Sequence, residues 1–157
     1  MDTAFAVHPD FKSHASCVMT QRTFMPITFY RKQKLNTLVS MESELVGADD
    51  VSTMILWTKL LMESQGYEIR KNIFYQDNRS RILMENNGGR SSRDRNRAIN
   101  ICYLFLTDQI NKGNLTMEYF PTTKMISEFM TKPIEGKLFQ KFSKVIMGHM
   151  NFSPHYL

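Results

Sequence analysis

The stretch that most constrains this chain is the helical pattern beginning at Ser40, SMESELVGADDV, which continues through Trp57 and Leu61 to a stop at Gly66. At about 100° per residue, Glu44, Ala48, Val51, Ile55 and Met62 fall within about 40° of one another. That stripe should face the core, so a carboxylate heads a buried row. Glu42 projects to roughly the opposite side, toward solvent. An acid directed inward needs compensation, either from the positive end of the helix dipole or from a cation. Ser40 is placed to cap the helix, with Glu42 and Glu44 in its first turns.

Around this helix the sequence alternates between strand and helix patterns. Asp2 to Val7 opens the chain on a strand or its exit, and His8-Pro9-Asp10 reads as a turn. Ser16 to Thr20 and Ile27 to Tyr30 are β-prone runs either side of Pro26, which predicts a strand pair with a basic exit, Arg31-Lys32-Gln33-Lys34. Asn72 to Gln76 is a further strand, ending at Asp77-Asn78. Ile82 to Met84 suggest a short helix and Arg90 to Arg97 a polar loop. Ile99, Cys102, Tyr103, Leu106 and Ile110 form a helical stripe closed by Gly113. Leu115, Met117 and Tyr119 alternate with Thr116, Glu118 and Phe120 in a strand that Pro121 ends. Thr123 is placed to cap a short helix from Lys124 to Thr131, and an amphipathic helix from Gly136 to Met147 precedes a tail. This order predicts one α/β domain with a mixed sheet.

Composition excludes several classes. A length of 157 residues, 42% apolar and 11% aromatic, describes a single folded domain rather than a disordered chain. No run of eighteen apolar residues and no signal-peptide core is present, which leads to the expectation of a soluble, intracellular protein without a membrane partner. Cys17 and Cys102 match neither a zinc pattern nor a disulfide framework, and His8, His14, His149 and His155 show no zinc spacing. No phosphate-cradling glycine motif and no Ser/His/Asp arrangement can be read. The net charge of +5 permits a polyanionic partner. Arg79, Arg81, Arg90, Arg93, Arg95 and Arg97 are offset locally only by Glu85 and Asp94. They read as a solvated loop or as a track along a nucleic-acid backbone, and the track predicts salt-dependent binding.

Four carboxylates could carry chemistry. Asp77 lies at the carboxyl end of a strand, the edge where ligands gather in α/β sheets, although Asp-Asn there also forms turns. Glu128 lies among Ile126, Phe129 and Met130, and Asp2 sits at the first strand. With Glu44, these acids could hold two divalent cations that activate water for phosphodiester hydrolysis, and magnesium suits such all-oxygen ligation.

The segments KQKLNTLVSMESELVGADD, ILWTKLLMESQGY, YQDNRSRILMENNG and INICYLFLTDQINKGNLTMEYFPTTKMISEFMTKP, taken in order, resemble the ribonuclease H domain that ends the Pol polyprotein of copia-type LTR retrotransposons. The resemblance runs from about Asp2 to Lys144, and residues 1–148 form the expected domain, with 149–157 as tail. It implies a ribonuclease H-like mixed sheet flanked by helices, magnesium-dependent cleavage of the RNA strand of RNA–DNA hybrids, and an upstream reverse transcriptase as polyprotein context. No small-molecule cofactor is implied. By position, its acids fall on Asp2, Glu44, Asp77 and Glu128. A hybrid would be recognised through backbone shape and 2′-hydroxyls.

The sequence also departs from that family. Glu128 stands where the family has Asp, Ala98 replaces a histidine, Asn100 an acid, and Arg81 a small alanine. The hairpin near Gln21 to Pro26 lacks the family's glycines, and the strand leading into Asp2, central in such a sheet, is largely missing. Two readings follow: a metal-dependent ribonuclease H with weakened catalysis, or a non-catalytic retrotransposon remnant that at most binds nucleic acid. A third is a different nuclease or integrase of the same broad fold.

Overall fold

The computed structural model describes residues 1–21, 24–77 and 97–150. It is a mixed α/β structure with helices packed against small antiparallel and parallel sheets. Strands β1 (Asp2–Ala4), β2 (His14–Gln21) and β3 (Phe24–Lys32) form an antiparallel sheet in that order. The long helix α1 (Ser40–Ser64) leads to β4 (Ile73–Gln76), and α2 (Arg97–Asn111) to β5 (Thr116–Tyr119). Strands β4 and β5 pair in parallel, Ile73 opposite Thr116. A 3-10 turn (Thr122–Lys124), the short α3 (Glu128–Thr131) and α4 (Gly136–Ile146) follow. No helix among the described residues is long and apolar enough to cross a membrane.

Among the described residues the β-structure is two sheets rather than the single mixed sheet expected. β1 is only three residues long, so its ladder to β2 stops at Asp2 opposite Ser16. The two sheets nevertheless meet there, because the Met1 ammonium donates to the Tyr75 carbonyl on β4 at 3.2 Å. Strand β3 runs through Pro26 and takes in Arg31 and Lys32, which the sequence pattern suggests lie beyond it.

Helix α1 begins as expected but is capped differently. The Ser40 side chain makes no capping bond; Val39 is the N-cap, and Glu42 reaches back to accept the Leu38 amide at 2.8 Å. The helix ends with Gly66 at φ 87° and Tyr67 N–H donating to Met62 carbonyl at 3.0 Å, the left-handed stop that glycine makes easy. Its buried face, including Ala48 and Val51, packs over β1 and β2. Gly47 makes this approach possible: a Cβ there would lie 2.9 Å from Thr3 Cγ2 and 3.2 Å from Gln33 Nε2.

The main core joins Met1, Ala15, Cys17, Phe29, Ala48, Val51, Phe74, Leu106, Leu115 and Met117, so one apolar cluster unites the first sheet, α1, α2 and the parallel pair. Ile99, Cys102 and Leu106 bury one face of α2, as their spacing predicts. In β5 the alternation holds for Leu115 and Met117 but breaks at Tyr119, which is exposed while Phe120 is buried, because the strand ends and the chain turns at Pro121. A second cluster of Ile126, Phe142 and Val145 ties α4 to the segment before α3. Burying Phe142 contributes about 2 kcal/mol and anchors that C-terminal layer.

The helix expected from Lys124 to Thr131 divides into the 3-10 turn and α3. Met125, between them, is extended at φ −76° and ψ 103°, which takes it out of helical conformation and buries it. Thr123 therefore caps nothing. The short helix expected at Ile82 to Met84 and the tail from 151 lie outside the described residues.

Candidate metal and active site

The four candidate acids lie at or next to strand ends and near helix starts. Asp2 opens β1 and is buried, and Glu128, also buried, opens α3. Asp77 directly follows β4, and Glu44 lies in the second turn of α1. All four sequence-predicted acids are among the described residues.

The link between Asp2 and Glu128 is Lys132. Its ammonium forms an ion pair with Glu128 Oε1 and stands 3.9 Å from Asp2 Oδ2. Thr131 donates its hydroxyl to the same Asp2 oxygen. Burial alone would lower the Lys132 pKa; the hydrogen bond to Glu128 and the charges of Asp2, Glu128 and Asp77 outweigh it and raise the group above its ordinary value. Two of the four acids therefore contact one ammonium, and the charge of Asp77 adds to their effect on it. Glu44 is held separately, accepting a bond from Gln76 Nε2 at 3.3 Å. Gln76 is the last residue of β4 and precedes Asp77, so it ties α1 to the strand end. Asp77 accepts from the Thr122 hydroxyl at 3.1 Å.

The placement of α3 depends on β2. Ser16 pairs with Asp2 across the sheet, and its hydroxyl donates to the Ser127 carbonyl at 2.8 Å. Glu128 is the next residue. One buried serine thus sets the first residue of α3 beside the first residue of β1.

Among the described residues, no three His, Cys, Asp or Glu side chains stand close enough together to hold one metal ion as they are placed. The donor chemistry nonetheless fits a hard divalent cation, since every candidate ligand is a carboxylate oxygen. Gln76 Oε1, on the amide beside Glu44, is buried without a hydrogen-bond partner, so the site also carries an unsatisfied oxygen. Asp2 and Glu128 already share a cation in the Lys132 ammonium.

Of the six arginines, Arg97 opens α2, while Arg79, Arg81, Arg90, Arg93 and Arg95 lie outside the described residues. Asn100 stands on the half-buried part of α2. His8 and His14 pair with each other instead: His8 Nε2 lies 3.0 Å from His14 Nδ1, and the His14 ring is tilted against Tyr30 with centroids 3.7 Å apart.

The sequence offers the four acids as candidates but does not reveal the groups that contact them or their elements: Lys132, Thr131, Gln76, Thr122 and Ser16. Lys132 had a readable signal, four residues after Glu128 and directly before Pro133. Ser16 and Thr122 had none, because their partners are distant in sequence. No family model and no solved structure matches this chain.

Proposed function

We propose that this chain is a ribonuclease H-type hydrolase that cleaves the RNA strand of RNA–DNA hybrids, with Asp2, Glu44, Asp77 and Glu128 as ligands of two magnesium ions. The observation that carries the reading is the Lys132 ammonium, paired with Glu128 and 3.9 Å from Asp2, two buried acids from separate elements. Acids gathered on one cation are the charge arrangement a metal-dependent phosphodiesterase needs. When bound, the ions supply an activated water and charge stabilisation at the leaving oxygen.

The chain's own residues supply orientation. Thr131 fixes one oxygen of Asp2, Gln76 holds Glu44, and Thr122 holds Asp77. Such outer partners limit the rotamers of a ligand carboxylate and leave its remaining oxygen lone pairs directed inward. The resemblance to copia-type ribonuclease H adds the substrate class, and an upstream reverse transcriptase is the matching partner. The arginine-rich segment from Arg79 to Arg97 is the proposed track for the hybrid backbone.

A second reading, a non-catalytic remnant that at most binds nucleic acid, is favoured by one feature: Lys132 already neutralises the Asp2 and Glu128 end of the cluster. Magnesium-dependent cleavage of an RNA–DNA hybrid by this chain and by Glu44→Gln separates the two. Cleavage lost in the variant supports the hydrolase. No cleavage by either supports the remnant, and equal cleavage by both rejects Glu44 as a ligand.

A further inference from the structure

We propose that Lys132 is the resident cation of this acidic cluster, holding Asp2 and Glu128 together in the metal-free protein and competing with magnesium for them. The inference rests on the metal-site reading above and adds to it a residue that governs metal occupancy.

The local backbone explains how the ammonium reaches the acids. Pro133 disfavours helical conformation in the residue before it, and Lys132 is extended, at φ −129° and ψ 144°. Helix α3 therefore ends at Thr131, while the Lys132 amide still donates to the Glu128 carbonyl at 2.9 Å. That bond keeps residue 132 one turn above residue 128, and the lysine side chain returns along this turn to the Glu128 carboxylate.

Charge explains why it stays. Asp2 and Glu128 are both buried, so two anions held close together need a positive partner. The ammonium meets that need without an ion from solution. Mobility explains how it can leave. Asp2 and Glu128 are fixed by short elements in the core, whereas the Lys132 side chain is 48% exposed. A flexible four-carbon stem can carry its charge into water with little disturbance of packing. The Thr131 hydroxyl bonds Asp2 independently of the lysine, a second hold on that carboxylate.

The test is magnesium binding by calorimetry, together with thermal melts in magnesium or in chelator, for the wild type, Lys132→Gln and Lys132→Arg. Removing one unit charge at ion-pair distance should tighten magnesium binding by roughly tenfold in Lys132→Gln. The same variant should melt lower than wild type in chelator and gain more from magnesium. Lys132→Arg keeps the charge and grips carboxylates in a fork, so its magnesium binding should be no tighter than wild type and its chelator melt close to it. If Lys132→Gln folds only in magnesium, that requirement also supports the proposal.

Equal magnesium affinity in wild type and Lys132→Gln overturns the competition, and hybrid cleavage by the wild type would then leave the hydrolase reading standing. Tighter binding in Lys132→Gln with no hybrid cleavage by any form upholds the resident cation and rejects the hydrolase. Absence of magnesium binding in all three proteins overturns both.

Discussion

The Ser16 hydroxyl donates to the Ser127 carbonyl at 2.8 Å, joining the middle of β2 to the residue before Glu128. Both serines are buried, and Ser16 also lies 3.4 Å from the Asp2 carbonyl. This hydroxyl therefore ties the strand that pairs with Asp2 to the residue before Glu128.

Replacing it should be felt at both levels. Ser16→Ala removes one of the two donors to the Ser127 carbonyl, which keeps the Met130 amide at 3.1 Å, and should destabilise the fold by about 0.5–1.5 kcal/mol. A urea titration measures this, and unchanged stability would show that the bond contributes nothing. With α3 released, magnesium affinity should fall as well.

Gly47 lets α1 lie against β1. Gly47→Val would place methyl groups into Thr3, Gln33 and Met1, at a site where even a Cβ is too close to Thr3. The expected loss is about 2 kcal/mol or more from overpacking, despite the better backbone entropy of valine. Gly66→Val probes the opposite case: a Cβ at Gly66 meets nothing within 4 Å, and its positive φ alone makes substitution unfavourable. A Gly47→Val melt equal to wild type would contradict the close approach.

Stability should decline in mild acid through His14. Burial first, and then the charge of neighbouring His8, holds the His14 pKa below its ordinary value. The unfolded chain takes up its proton near pH ~6.5 while the folded chain resists until lower pH. The His14 contribution is therefore complete above that unfolded value and is lost as pH falls toward the folded one. The ring faces His8 and Tyr30, and its Nε2 is buried without a partner. Unfolding free energies at pH 7.5 and 5.5 should differ less in His14→Phe than in wild type; an identical pH dependence would remove His14 as a cause.

Both cysteines should be inert in the folded protein. Burial, followed by the charge and hydrogen bonding of Asp49, pushes the Cys102 thiol up to about 12, and its Sγ donates to Asp49 Oδ2 at 3.3 Å. Burial also raises Cys17. Alkylation by iodoacetamide at pH 8 should be roughly a hundredfold or more slower than in urea. Rapid labelling of either native thiol would mean that its element opens readily.

Much of this architecture was legible before any tertiary contact was known. The stop at Gly66, the stripe Ile99–Cys102–Leu106 and the strand at Ile73–Gln76 follow from local rules, since dihedral preference and apolar period act over a few residues. Departures occur where a local signal competes with burial or with a longer-range bond. Ser40 loses the cap to Glu42 because the carboxylate reaches the Leu38 amide, and Met125 leaves helical conformation to enter the core.

The sequence singled out four candidate acids and set Glu44 at the head of a buried stripe; in the structure Ala48 and Val51 of that stripe are buried, whereas Glu44, Ile55 and Met62 are only half-buried. The sequence by itself determined which elements form and which charged residues lack an ordinary place on their surfaces. Only the tertiary structure decided that Lys132 joins Asp2 to Glu128, that Gln76 holds Glu44, and that Ser16 sets α3 beside β1. Apart from the Lys132–Glu128 turn, those contacts join groups 32 to 130 residues apart in the chain. No local propensity encodes such a meeting, because it follows from the whole core closing around α1.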